Sequence, residues 1–152
     1  MVKKTVKIIK NKKEMAETAE LFLAEIIKKH LPKRKALVVG MSGDLGTGKT
    51  TFVQSVARHL NIKNKITSPT FVIMKKYKIK NLKGYKFLFH LDAYRLKNEK
   101  ELLFLGWEDI IGNKEHLVFI EWPENVSKVI PKGSRYIYIS HTKNEYRKLK
   151  FK

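Results

Sequence analysis

Hydrophobic positions along the chain follow two rhythms, and the switches between them mark the elements. Residues 12–31, KKEMAETAELFLAEIIKKHL, put Met15, Ala19, Phe22, Leu23, Ile26 and Ile27 on one helical face. Acids come early there and Lys28, Lys29 and His30 late, which suits the helix dipole, and Pro32 stops the helix. The unbroken apolar run ALVVGM at 36–41 predicts a strand covered on both faces. Lys49 to Leu60 predicts a helix with Phe52, Val53, Val56 and Leu60 on one side. TVKIIK at 5–10 alternates weakly, as an edge strand does. FVIMKKYKIK and YKFLFHLD flank NLKG and predict a hairpin turning at Gly84. NEKELLFLGWEDIIG is helical in pattern with an interruption at Gly106, and HLVFIEW is a second buried-type strand. Pro123 suits the first turn of a helix over PENVSKVI. SRYIYISH and EYRKLKF alternate and predict a second hairpin. Strands alternating with helices, with two hairpins added, predict an α/β fold with a mixed central sheet flanked by helices. No repeat or linker divides 1–152, so one domain is expected.

Composition narrows the function classes. The chain has 152 residues, 43% of them hydrophobic, which is enough for one real core. No apolar run approaches a membrane span, and the lysine-bearing N-terminus is too interrupted for a signal peptide. Cysteine is absent, which excludes disulfides and thiolate metal sites, so a cytoplasmic protein is expected. The net charge of +19 raises the question of nucleic acid. Lysine dominates that charge and only five residues are arginine, the better phosphate fork, so the excess is also explained by composition alone. Its distribution is uneven: no acid lies between Asp44 and Asp92, and lysines crowd positions 63–86.

Gly43-Asp-Leu-Gly-Thr-Gly48-Lys49-Thr50 satisfies G-x-x-x-x-G-K-[ST] between a predicted strand and a predicted helix. Gly43, Gly46 and Gly48 let the loop curl, so that successive backbone N–H groups point inward at phosphate oxygens. The helix start adds a positive dipole end. Lys49 reaches the β- and γ-phosphates, Thr50 offers a hydroxyl to magnesium, and Thr51 lies near the α-phosphate. A P-loop needs a carboxylate at the end of a neighbouring strand. Asp92 ends FLFHLD and Glu121 ends HLVFIE, so both are candidates for the metal or the attacking water.

Three further features carry less. TSPTF presents Ser68 and Thr70 beside Pro69, either to sense a γ-phosphate or as a plain turn. His90, in an apolar strand, reads as a core histidine more readily than as a catalytic base. Trp107 and Trp122 read as core, with Trp122 alternatively bordering the site beside Glu121.

GDLGTGKTTF, SPTF, HLDAYRL, Leu105-Gly106 and IEWPE together resemble the TsaE (YjeE) family, in the same order and approximate spacing. Ala93 stands where that family often has a larger apolar residue. The resemblance implies a P-loop NTPase fold and a Mg²⁺-dependent ATPase of bacterial tRNA threonylcarbamoyladenosine synthesis, weak without partners. Its implied partners are a threonylcarbamoyl transferase and a paralogous scaffold protein, which ATP hydrolysis would reset between cycles. It also implies phosphate binding by Leu45 to Thr50, magnesium at Thr50 and Glu121, assistance from Asp92, and an approach of Thr18 to the nucleotide. The basic 63–86 stretch is a candidate tRNA contact. A small-molecule kinase and a basic nucleic-acid-binding module are the alternatives; the first lacks an arginine-rich lid and the second leaves the P-loop idle.

Overall fold

A computed structural model describes residues 5–30, 34–64, 66–67 and 73–152. Seven strands form one sheet: β1 (Thr5–Ile9), β2 (Leu37–Ser42), β3 (Met74–Lys78), β4 (Phe87–Asp92), β5 (His116–Glu121), β6 (Arg135–His141) and β7 (Arg147–Phe151). Their order is β1-β7-β6-β2-β5-β4-β3. The middle four are parallel, β4 to β5 to β2 to β6, and antiparallel partners close both sides. The carboxyl ends of β2, β4 and β5 therefore meet on one edge of the sheet, the position where open α/β sheets hold ligands.

Helices cover both faces. α1 (Lys12–Lys29) and α2 (Lys49–His59) pack on one side, with Phe22 and Phe52 meeting edge to face at 5.7 Å. Leu37, Val39, Met41, Leu117 and Phe119 turn toward them. The alternate residues Val38, Val118 and Ile120 turn the other way, against Leu102, Trp107 and Val126. That second layer comes from α3 (Glu99–Leu103), α4 (Trp107–Gly112) and a 3₁₀ helix (Pro123–Val129). Because both faces are covered, the strand sequences β2 and β5 are apolar without alternation.

Local chemistry sets the element ends. Asn11 caps α1, its side chain accepting the Glu14 N–H at 2.9 Å. Gly106, at φ 81, is the left-handed break between α3 and α4. Pro123 does open a helix, but one of 3₁₀ type, with a kink at Val126. Pro32 lies outside the described residues. No described helix is long and apolar enough to cross a membrane.

Candidate nucleotide-binding site

β2 ends at Ser42 and α2 starts at Lys49, so Gly43 to Gly48 must turn the chain from strand to helix. Gly43 has φ 151, and a side-chain carbon there would collide with the Ile139 carbonyl oxygen. Gly48, at φ 109, is the left-handed N-cap of α2. No side chain caps this helix and its first turn holds no acid. Its leading N–H groups and positive dipole end are thus open to an anion. The buried Thr47 hydroxyl turns inward and donates to the Asp44 carbonyl at 2.9 Å, while Leu45 stands exposed.

Lys49 is buried beneath this turn, its ammonium donating to the Gly43 carbonyl at 2.5 Å and the Asp44 carbonyl at 3.0 Å. Burial pushes its pKa below the ordinary 10.5, against the pull of the Glu121, Asp92, Glu124 and Asp44 carboxylates. The Trp122 ring centre lies 4.6 Å from the ammonium. A cavity of about 250 Å³ opens here, lined by Leu45, Gly46, Gly48, Thr51 and the groups below.

Register brings the acids to the loop. Asp92 and Glu121 are partners at the ends of β4 and β5, and both are buried. The Thr50 hydroxyl donates to Glu121 Oε2 at 3.1 Å. Asp92 Oδ1 accepts the Tyr94 N–H at 2.9 Å, which also ties down the chain after β4. Hydroxyl and carboxylate are hard oxygen donors. Among the described residues no group of three or more His, Asp or Glu could hold a metal. An ion here would rest on few protein oxygens and otherwise on water and phosphate, which is how magnesium binds. The donor set fits that ion.

Two further residues reach the site. His90 is fully buried, as a core histidine is, but its Nε2 lies 2.6 Å from Glu121 Oε2. Trp122 is at φ 59, an unusual left-handed state for so large a residue, with its N–H donating to the Met41 carbonyl at 3.0 Å. That bend turns the indole over Lys49, so Trp122 borders the site, whereas Trp107 is core and donates to the Val129 carbonyl. The Ser42 hydroxyl donates to Glu124 Oε2 at 2.8 Å and ties the 3₁₀ helix to the start of the loop.

Thr18 is not among the residues that line the cavity at the loop. It lines a separate cavity of about 610 Å³ beside β1 and β7, with Phe22 and Phe151. Met15 of α1 comes close to the loop: a methyl group placed on Gly48 would lie 3.8 Å from its Cε. Ser68 to Phe71 lie outside the described residues, and so does Lys65 of the basic stretch. Some of the other lysines there already have work: Lys76 lies over the Phe87 ring at 4.0 Å, and Lys86 pairs with Glu115 at 3.2 Å.

Comparison with known proteins identifies relatives of the chain and its fold. The family model described as threonylcarbamoyl adenosine biosynthesis protein TsaE matches residues 9–149. A Haemophilus influenzae protein named tRNA threonylcarbamoyladenosine biosynthesis protein TsaE is 34% identical over 118 residues, 78% of this chain and 71% of that one. A Bacillus subtilis protein of the same name is 33% identical over 114 residues, 75% of this chain and 68% of that one. A crystal structure of YdiB from Bacillus subtilis superposes with a TM-score of 0.75 at 28% identity, over 99% of this chain and 86% of that chain. The match runs from the last residue of β1 into β7 and takes in the whole P-loop, and the chain belongs to the TsaE family.

Proposed function

We propose that the chain binds and hydrolyses ATP as an accessory subunit of tRNA threonylcarbamoyladenosine synthesis, acting as one domain. One observation carries the reading: the Thr50 hydroxyl and Glu121 Oε2 stand 3.1 Å apart at the open N-terminus of α2, beside Lys49. That is an anion cradle and a hard-cation donor pair in one place. The names of the Haemophilus influenzae and Bacillus subtilis relatives supply the pathway.

In this reading the loop N–H groups and the α2 dipole hold the phosphates. Lys49 exchanges the Gly43 and Asp44 carbonyls for β- and γ-phosphate oxygens, which are stronger acceptors for an ammonium. Thr50 and Glu121 hold magnesium, which neutralises charge on the phosphates, and Asp92 assists the metal or orients the attacking water. Thr51 lies toward the α-phosphate. Trp122 roofs Lys49 and limits water there.

The partners in this reading are a threonylcarbamoyl transferase and its paralogous scaffold protein, reset between cycles by ATP hydrolysis in the cytoplasm. The exposed part of the 63–86 lysine stretch offers a contact for tRNA, screened by salt. The cavity beside Lys49 is open, with Trp122 on its border, so a docked partner is assigned the task of excluding water and fixing the nucleophile.

The test is ATP turnover by the chain alone, with the transferase and scaffold, and with an unrelated tRNA-binding protein. Slow turnover raised only by the first pair supports the reading. Fast turnover that ignores every addition contradicts it.

A further inference from the structure

The second helical layer covers only part of its side of the sheet. Its buried cluster takes strand residues from β2, β4 and β5 and none from β6, β7 or β1. In those three strands Ile9, Ile137, Ile139 and Leu149 turn into the core beneath α1 and α2. Successive side chains of a strand alternate between faces, so their neighbours point the other way. There Val6 is 48%, Ile8 46% and Tyr138 38% exposed, and Lys148 and Lys150 are exposed with them. Where this face meets the 3₁₀ helix, a cavity of about 330 Å³ opens between Tyr136, Tyr138 and Pro123.

Register lays these side chains out in rows. Val6 is opposite Lys150, Lys150 is opposite Tyr138, and Tyr138 stands beside Ser42, the last residue of β2 before the P-loop. Ile8, Lys148 and Ser140 form the next row. Tyr136 and Tyr138 hold their rings 6.4 Å apart and 23° from parallel. Gly40 makes room for the inner ring, since a methyl group there would meet Tyr136 at 2.9 Å. The acid at this border, Glu124, is engaged by the Ser42 hydroxyl. The strands thus present two similarly oriented aromatic rings with two lysines beside them.

We propose that the open face of β6, β7 and β1 binds an unpaired RNA segment, with bases on Tyr136 and Tyr138 and phosphates on Lys148 and Lys150. Unpaired bases stack on aromatic side chains whatever their sequence, and cations beside the rings follow the backbone. A docked protein suits this face less, because lysine is depleted at protein interfaces and two lysines stand in the middle of the patch. The choice of RNA rests on the tRNA threonylcarbamoyladenosine reading, whereas the binding needs neither ATP nor the P-loop. This surface is separate from the 63–86 lysine stretch, whose strand β3 forms the opposite edge of the sheet.

The experiment measures fluorescence anisotropy of a labelled octauridylate and of a blunt RNA duplex, without nucleotide and over a range of salt. The parent should bind the octauridylate more tightly than the duplex, whose bases are already stacked on one another. Tyr138→Ala should weaken that binding about tenfold, the scale of one lost base–aromatic stack, and Tyr138→Phe should keep it. Lys148→Gln with Lys150→Gln should weaken it and lower its dependence on log salt by about one, as lost phosphate contacts do. Lys78→Gln with Lys80→Gln, which removes the same charge at the opposite edge, should cost much less. A parent that does not bind, equal losses from the two lysine pairs, or parent-like binding in Tyr138→Ala would each overturn the RNA face. If Tyr138→Ala keeps RNA binding but loses the stimulation of turnover by the transferase and scaffold, the face is a protein surface and the proposal also falls. None of these outcomes bears on ATP binding, which titration of ATP reads separately.

Discussion

His90 Nε2 and Glu121 Oε2 lie 2.6 Å apart across β4 and β5, in a contact that is almost wholly buried. The same carboxylate oxygen accepts the Thr50 hydroxyl. Glu121 is therefore gripped from two sides, by the core and by the first turn of α2, and its rotamer is set before any ligand arrives. The other histidine nitrogen, Nδ1, has no hydrogen-bond partner among the described residues. A buried polar atom left in that state is costly, so the ring serves the contact on its Nε2 side.

His90→Phe keeps a ring in the core and removes that grip. Turnover should fall by about tenfold or more, the scale on which partners of metal-binding groups act. The magnesium concentration for half-maximal activity should rise, and ATP binding without magnesium should hold. His90→Gln, which restores an N–H donor, should recover part of the loss. Steady-state kinetics against magnesium checks this, and an unchanged magnesium dependence in His90→Phe contradicts it.

Glu121→Gln and Asp92→Asn should each cut hydrolysis by roughly 10²-fold. Glu121→Gln keeps an acceptor for Thr50 but loses the charge a cation needs. Asp92→Asn keeps the turn to Tyr94 through its amide oxygen. Melting temperatures should therefore move little while turnover collapses. Parent-like turnover in both variants would remove these residues from the chemistry.

Alkaline stability tests the packing of three tyrosines. Burial raises the pKa of Tyr77, Tyr85 and Tyr136 above the ordinary 10.0, and Tyr138 adds to the shift at Tyr136. The folded state holds these protons more tightly than the unfolded chain. Their contribution is complete below pH 10.0 and is lost as pH rises through the raised values. Urea unfolding midpoints should fall above that pH, and Tyr77→Phe should flatten the fall. The same slope in parent and variant contradicts the assignment.

The strands and helices were legible because burial leaves a period. β2 and β5 are apolar through their middles, since each is covered on both faces, and Gly106 broke a helical pattern where a left-handed residue was needed. The loop motif and the two strand-end acids were legible because each chemistry needs a fixed residue type at a fixed place. Relations between elements were not. His90 meets Glu121 through strand register, which is a property of the sheet and not of either segment. Periodicity put Met15 on the apolar face of α1 but could not say that this face brings its Cε close to Gly48 of the loop. Tryptophan has no preference for positive φ, so nothing local announced the bend that turns Trp122 over Lys49.

The central claim is that the P-loop is the ATP site, and Lys49 is its most direct handle. The measurement is calorimetric titration of ATP with magnesium into the parent chain and into Lys49→Ala, with melting curves of both without ligand. A lost charge-assisted contact to the phosphates should weaken binding by roughly tenfold or more, with the fold retained. Equal ATP affinity in a folded Lys49→Ala would contradict the account.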